Sequence, residues 1–101
     1  PVWLKFAGGK GVATSLAVFA SLDLRLGAVF VIVWLVTAFL SRYSSLAALC
    51  AVLAVTAGSF VLLDDLISQI SILLLSALVW TRHHQNIGRL LAGSETKIGA
   101  K

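Results

Sequence analysis

Leu26-Gly27-Ala28-Val29-Phe30-Val31-Ile32-Val33-Trp34-Leu35-Val36-Thr37-Ala38-Phe39-Leu40 contains no ionisable side chain, and Ser41-Arg42-Tyr43-Ser44-Ser45 separates it from a second apolar run. Polar clusters divide the chain into apolar runs at 12–22, 26–40, 46–63 and 66–80. None alternates apolar and polar residues with a period of two. A backbone in hydrocarbon must satisfy its own hydrogen bonds, so these runs read as helices rather than barrel strands. The expected fold is all-α, a polytopic transmembrane protein with about four membrane helices in one membrane domain over residues 1–101.

Composition supports the same class. Of 101 residues, 59% are hydrophobic and 12% charged, and the mean hydropathy is +1.01. A small soluble domain has too little interior to hide so many apolar side chains. Cys50 is the only cysteine, so neither a disulfide framework nor a cysteine-rich metal site arises within the chain. The net charge of +4 does not point to nucleic acid, because the cations are not interleaved with stacking aromatics on a soluble face. Met is absent and Pro1 leads at once into a dense polar motif without a signal-peptide layout. The expectation is the C-terminal half of a longer protein.

If each run crosses once, the first, third and fifth polar clusters share one side. That side collects Lys5, Lys10, Arg42, Arg82, Arg89, Lys97 and Lys101, whereas the other holds Asp23, Arg25, Asp64 and Asp65. The positive-inside rule makes the basic side cytoplasmic, with Trp3, Tyr43 and Trp80 near its boundary. A helix from residue 11 to 22 is only about 18 Å long, against a hydrocarbon core of about 30 Å. Its start then lies below the surface in a polar groove, or the helix is tilted or re-entrant without functional meaning.

Three clusters on the basic side carry candidate chemistry. Phe6-Ala7-Gly8-Gly9-Lys10-Gly11-Val12-Ala13-Thr14 places three glycines around a lysine ahead of an apolar run. Free amides at a helix start, its dipole and the Lys10 ammonium suit a phosphate. The spacing is not that of a Walker A loop. The cluster also reads as a flexible loop with a snorkelling lysine. In Ser41-Arg42-Tyr43-Ser44-Ser45, Arg42 and a serine suit a phosphate, or a turn with a capping serine and an orienting arginine. Arg82-His83-His84-Gln85-Asn86 precedes Arg89 and Gly93-Ser94-Glu95. A helix continuing through this cluster puts His83, Asn86 and Arg89 on one face. A neutral His83 accepts a proton from a hydroxyl there, while Asn86 orients substrate. Adjacent histidines are also common at membrane surfaces, and His84 is a bystander. No carboxylate or cysteine completes a metal site. Glu95 pairs with one of its basic neighbours. No Lys, Arg, His, Asp or Glu lies within a membrane run, which counts against a transporter; a purely structural membrane protein would make the polar clusters interchangeable.

The Gly-Gly-Lys-Gly-Val-Ala-Thr stretch at 8–14, Arg42-Tyr43 with Ser45-Leu46, and His83 through Glu95 together resemble the PlsY family of membrane glycerol-3-phosphate acyltransferases. The resemblance spans nearly the whole chain. It implies acyl transfer from acyl phosphate to the 1-hydroxyl of glycerol 3-phosphate, forming lysophosphatidic acid at the bacterial inner membrane, with no metal or other cofactor. Its implied partners are glycerol 3-phosphate, acyl phosphate and membrane lipid, and it leaves oligomeric state open. By motif position, Gly8, Gly9, Lys10, Gly11 and Thr14 bind substrate phosphate, and Arg42, Ser45 and Arg89 line the pocket. His83 and Asn86 are the expected catalytic residues, and Glu95 a structural clamp. Ala7 and Ala17 depart from a lysine and a glycine common in the family. The family's earlier motif, a serine and an arginine contacting acyl phosphate, has no counterpart here, so the resemblance implies that this chain alone should not be a complete enzyme.

Overall fold

The computed structural model describes the backbone of residues 2–99 and the side chains of residues 11–99. It is all-α among the described residues, with α1 (Val2–Leu22), α2 (Leu24–Ser41), α3 (Ser44–Leu62), α4 (Leu66–Arg82) and α5 (His84–Ala92). By length and composition α2 and α3 can each cross a membrane, with mean hydropathies of 2.1 and 2.2. A third span is reached if α4 and α5 are taken as one helix pair bent by 55°. The apolar portion of α1, Gly11–Leu22, is shorter than a span.

Each connection follows from local chemistry. Asp23 is extended at φ −162° and accepts the Arg25 amide at 2.8 Å, so it caps α2. Asp65 caps α4 by accepting the Ile67 and Ser68 amides. Hydrogen bonds from Arg25 hold the Asp23 carboxyl below its usual pKa, and bonds from Ser68 do the same for Asp65. At the other end α2 stops at Arg42, whose φ of 62° is left-handed, with its N–H donating to the Ala38 carbonyl. That five-to-one bond is the αL helix stop, made here without glycine. Gly93, at φ 75°, closes α5: its N–H reaches Leu90 O and the Ser94 N–H reaches Arg89 O, the Schellman pattern.

The core forms where α3 packs between α2 and α4 and α1 lies on α2. Ala47, Ala48 and Ala51 of α3 are essentially inaccessible, and such small side chains let helix backbones approach. Gly27 does the same between α1 and α2, because a Cβ there would sit 2.7 Å from Ala20 Cβ. Phe19 and Phe30 meet beside it with ring centroids 5.9 Å apart. Polar side chains add directional contacts where apolar solvent gives no drive to associate: Thr56 and Ser76 hydroxyls are 2.6 Å apart across α3 and α4. Large apolar side chains such as Phe39, Leu40, Val61 and Ile67 point outward, as lipid-facing surfaces require.

The topology gathers the α1–α2 and α3–α4 connections at one end, where the Arg25 guanidinium donates to Leu62 O. The α2–α3 and α4–α5 connections and the tail share the other end, which carries Arg42, Arg82, Arg89 and Lys97. Among the described residues the expected segregation of charge is present, whereas Lys5, Lys10 and Lys101 lie outside the described side chains. One expectation fails: the glycine cluster at 8–11 lies within α1 rather than ahead of it. Inside a helix backbone amides are taken by carbonyls four residues earlier, so free helix-start amides are not what these glycines offer.

Candidate active site

The helix expected to run unbroken through His83 instead breaks there. His83 has φ −97° and ψ 15°, its N–H is shared between Val79 O and Trp80 O, and α5 departs at 55°. The imidazole takes part in the break, with Nδ1 2.8 Å from Val79 O. A carbonyl only accepts, so Nδ1 is the donor in this contact, and in the neutral tautomer that makes it, Nε2 is the lone-pair acceptor. His84 makes a similar bond to Thr81 O but lies exposed outside the cavity described next.

His83 lines a half-open cavity of about 280 Å³ between α1, α2, α3 and α4. Phe30, Ala48, Val52, Leu75, Leu78 and Val79 form its apolar wall. Gly11, Thr14, Ser15 and Arg82 join His83 as its polar part. Ser15 is buried and donates to Gly11 O at 3.0 Å, so its hydroxyl hydrogen is used locally. The cavity wall is thus mostly apolar, with a few polar side chains beside His83. Of the expected substrate-binding residues, Gly11 and Thr14 reach it. Gly8, Gly9 and Lys10 lie outside the residues whose side chains are described. Ser15 and Arg82 were missed as site residues; Arg82 directly precedes His83, but orientation-setting already explained its charge.

Ser45, Asn86, Arg89 and Glu95 form a second cluster. Glu95 Oε2 accepts from Ser45 Oγ and Asn86 Nδ2, each at 2.8 Å, while Oε1 accepts from Arg89 Nε at 2.9 Å and the Thr96 amide at 3.2 Å. The Glu95 side chain is 6% exposed. Burial works against its ionisation, yet bonds from Arg89, Asn86 and Ser45 outweigh it and lower the pKa to about 2. Asn86 and Arg89 share a face of α5, as the helical spacing predicts, whereas the bend separates His83 from that face. None of the three donors lines the cavity.

Arg42 belongs to the same end through the tail. Its carbonyl accepts the Ile98 amide at 2.6 Å and its guanidinium donates to Ile98 O at 2.9 Å. The Lys97 ammonium lies 5.8 Å from the Tyr43 ring centroid. Arg42 with Ile98, Tyr43 with Lys97 and Ser45 with Glu95 are antiparallel pairs. The tail thus runs back along the α2–α3 connection and fastens α5 to the start of α3. No group of His, Cys, Asp or Glu suited to a metal occurs among the described residues.

A family model described as glycerol-3-phosphate acyltransferase matches residues 1–93. The chain is 48% identical over 101 residues to a glycerol-3-phosphate acyltransferase of Mesorhizobium japonicum, covering all of this chain and 51% of that protein. It is 44% identical over 98 residues to one of Wolbachia pipientis, covering 97% of this chain and 50% of the relative. For one of Agrobacterium fabrum the identity is 44% over the full 101 residues and 49% of the relative. The chain spans about half the length of these curated relatives. No solved structure matches it. Polar motifs gathered at one end of an apolar helical bundle agree with a family match over residues 1–93, and the chain belongs to the glycerol-3-phosphate acyltransferase family.

Proposed function

We propose that the protein represented by this chain transfers a fatty acyl group from acyl phosphate to the 1-hydroxyl of glycerol 3-phosphate, giving lysophosphatidic acid for phospholipid synthesis. The observation that carries the reading is His83, which lines an amphipathic cavity while its Nδ1 is engaged by Val79 O. The glycerol oxygen attacks the acyl carbonyl carbon as its proton passes to His83 Nε2. A carbon–oxygen bond forms, the bond from the carbonyl carbon to the phosphate oxygen breaks, and inorganic phosphate leaves with the electron pair. Phosphate is already a good leaving group, so orientation and charge neutralisation do most of the work.

Lys10, with Gly8, Gly9, Gly11 and Thr14, holds the phosphate of the acceptor in this reading. Ser45, Asn86, Arg89 and Arg42 serve the reaction by holding the tail and α5, with Glu95 as the clamp. With the apolar helices in a bacterial inner membrane and the basic end in the cytoplasm, the cavity is within reach of both a soluble acceptor and a lipid-borne donor. Segregation of Arg42, Arg82, Arg89 and Lys97 from Asp23, Asp64 and Asp65 supports that orientation.

The test uses the full-length protein in membranes with palmitoyl phosphate and labelled glycerol 3-phosphate, beside Lys10→Ala and His83→Ala. Lysophosphatidic acid from the unaltered protein and its loss in both variants is expected. A well-inserted protein that forms no product would overturn the reading.

A further inference from the structure

We propose that Arg82 binds the phosphate of the acyl donor, and not that of the glycerol acceptor, at the polar end of the cavity. The inference rests on the acyl-transfer reading and deepens it. Arg82 was legible in the sequence only as an orienting charge; the fold puts it on the wall of the chamber that His83 also lines.

Three observations single it out. The other described cations at this end are engaged elsewhere: Arg42 with Ile98 O, Arg89 with Glu95, and Lys97 over Tyr43. Arg82 is the only Lys or Arg among the described residues that lines the cavity. No described carboxylate is placed to neutralise it, since Glu95 is ion-paired with Arg89 and Asp23, Asp64 and Asp65 belong to the opposite end. An exposed cation at the edge of a half-open cavity walled by Phe30, Val52, Leu75 and Leu78 suits an amphiphile with an anionic head and an apolar tail. Glycerol 3-phosphate has no tail to fill that wall, whereas an acyl phosphate does.

Adjacency to His83 gives the contact a role in the reaction. In an acyl phosphate the phosphate is bonded directly to the carbonyl that is attacked, so a head group on Arg82 keeps the reacting carbon near His83. As the bond to the carbonyl carbon breaks, the departing phosphate gains negative charge, and the guanidinium fork meets it with two parallel donors. A lysine supplies charge without that fork.

The experiment measures KM for palmitoyl phosphate and for glycerol 3-phosphate separately, with the full-length protein and its Arg82→Gln and Arg82→Lys variants. Arg82→Gln is expected to raise the donor KM by ~10-fold or more while the acceptor KM stays within ~2-fold, and Arg82→Lys to recover part of the loss. A rise confined to the acceptor KM, or no change in either, would sink the proposal. A second measurement is independent of turnover: binding of hexadecyl phosphate against hexadecanol to the purified protein in nanodiscs. Arg82→Gln must lose the preference for the phosphate; if it keeps that preference, Arg82 is not the anchor. If the unaltered protein makes no lysophosphatidic acid yet shows an Arg82-dependent preference, the acyl-transfer reading fails and the anionic-amphiphile site stands.

Discussion

Ser45 of α3 and Asn86 of α5 donate to the same carboxylate oxygen, Glu95 Oε2, each at 2.8 Å. They are far apart in sequence, and one buried acceptor between them ties the α2–α3 end of the bundle to the helix that follows His83. The geometry explains how a short, largely exposed α5 keeps a defined angle, and it makes the tail part of the bundle's architecture.

Glu95→Gln keeps the shape of that acceptor but removes its charge and turns one oxygen into a donor facing donors. We expect a loss of about 2 kcal/mol, in the range for hydrogen bonds to charged groups. Thermal unfolding in detergent at neutral pH checks it; an unchanged midpoint would show that the clamp carries no stability.

The same group makes stability depend on pH. Its folded pKa is lowered to about 2 from a reference of 4.5, so its contribution is fully present above the unfolded value and declines as pH falls from 4.5 toward 2. The stability difference between the native protein and Glu95→Gln should therefore be flat near neutrality and shrink across that acidic window. A difference that grew on acidification would contradict the sign.

Gly27→Ala puts a methyl 2.7 Å from Ala20 Cβ, so α1 and α2 must separate. Overpacking of this kind costs about 1–3 kcal/mol. Ala20→Gly in the same chain should recover most of the loss, read as a coupling in a double-mutant cycle; additive effects would place the strain elsewhere.

Arg42 holds φ 62°, a conformation that costs a residue with a Cβ about 1 kcal/mol. Arg42→Ala keeps that cost and loses the guanidinium bond to Ile98 O, whereas Arg42→Gly loses the bond and relieves the backbone. Arg42→Gly should therefore be the more stable variant by about 1 kcal/mol. The reverse order in chemical unfolding would mean that the left-handed backbone is not maintained.

His83→Asn retains a side-chain N–H for the Val79 carbonyl but has no basic nitrogen. If His83 takes the glycerol proton, kcat should fall ~100-fold or more with little loss of thermal stability. A matching fall in stability would point to a structural role at the bend.

The all-α class was legible because hydrocarbon leaves a single chain few ways to satisfy its backbone, and long runs without charge declare that solvent. The sorting of Arg42, Arg82, Arg89 and Lys97 away from Asp23, Asp64 and Asp65 followed from the alternation of helices. Spacing also put Asn86 and Arg89 on one face, because i and i+3 positions on a helix are neighbours whatever surrounds them. The bend at His83 was not legible: helical periodicity runs through the sequence there, and the 55° change of direction is seen only in space. Nor could sequence distinguish Arg82 from Arg89. Both are arginines beside the same motif, and their different surroundings, a cavity wall for one and a buried carboxylate for the other, arise from how α1, α3 and the tail pack around them. Periodicity and charge are local or summed properties that a chain carries with it, and they are enough to fix the helical class and the end at which the motifs gather. Which side chains meet depends on the angles and contacts of helices distant in sequence, and those exist only once the helices have packed.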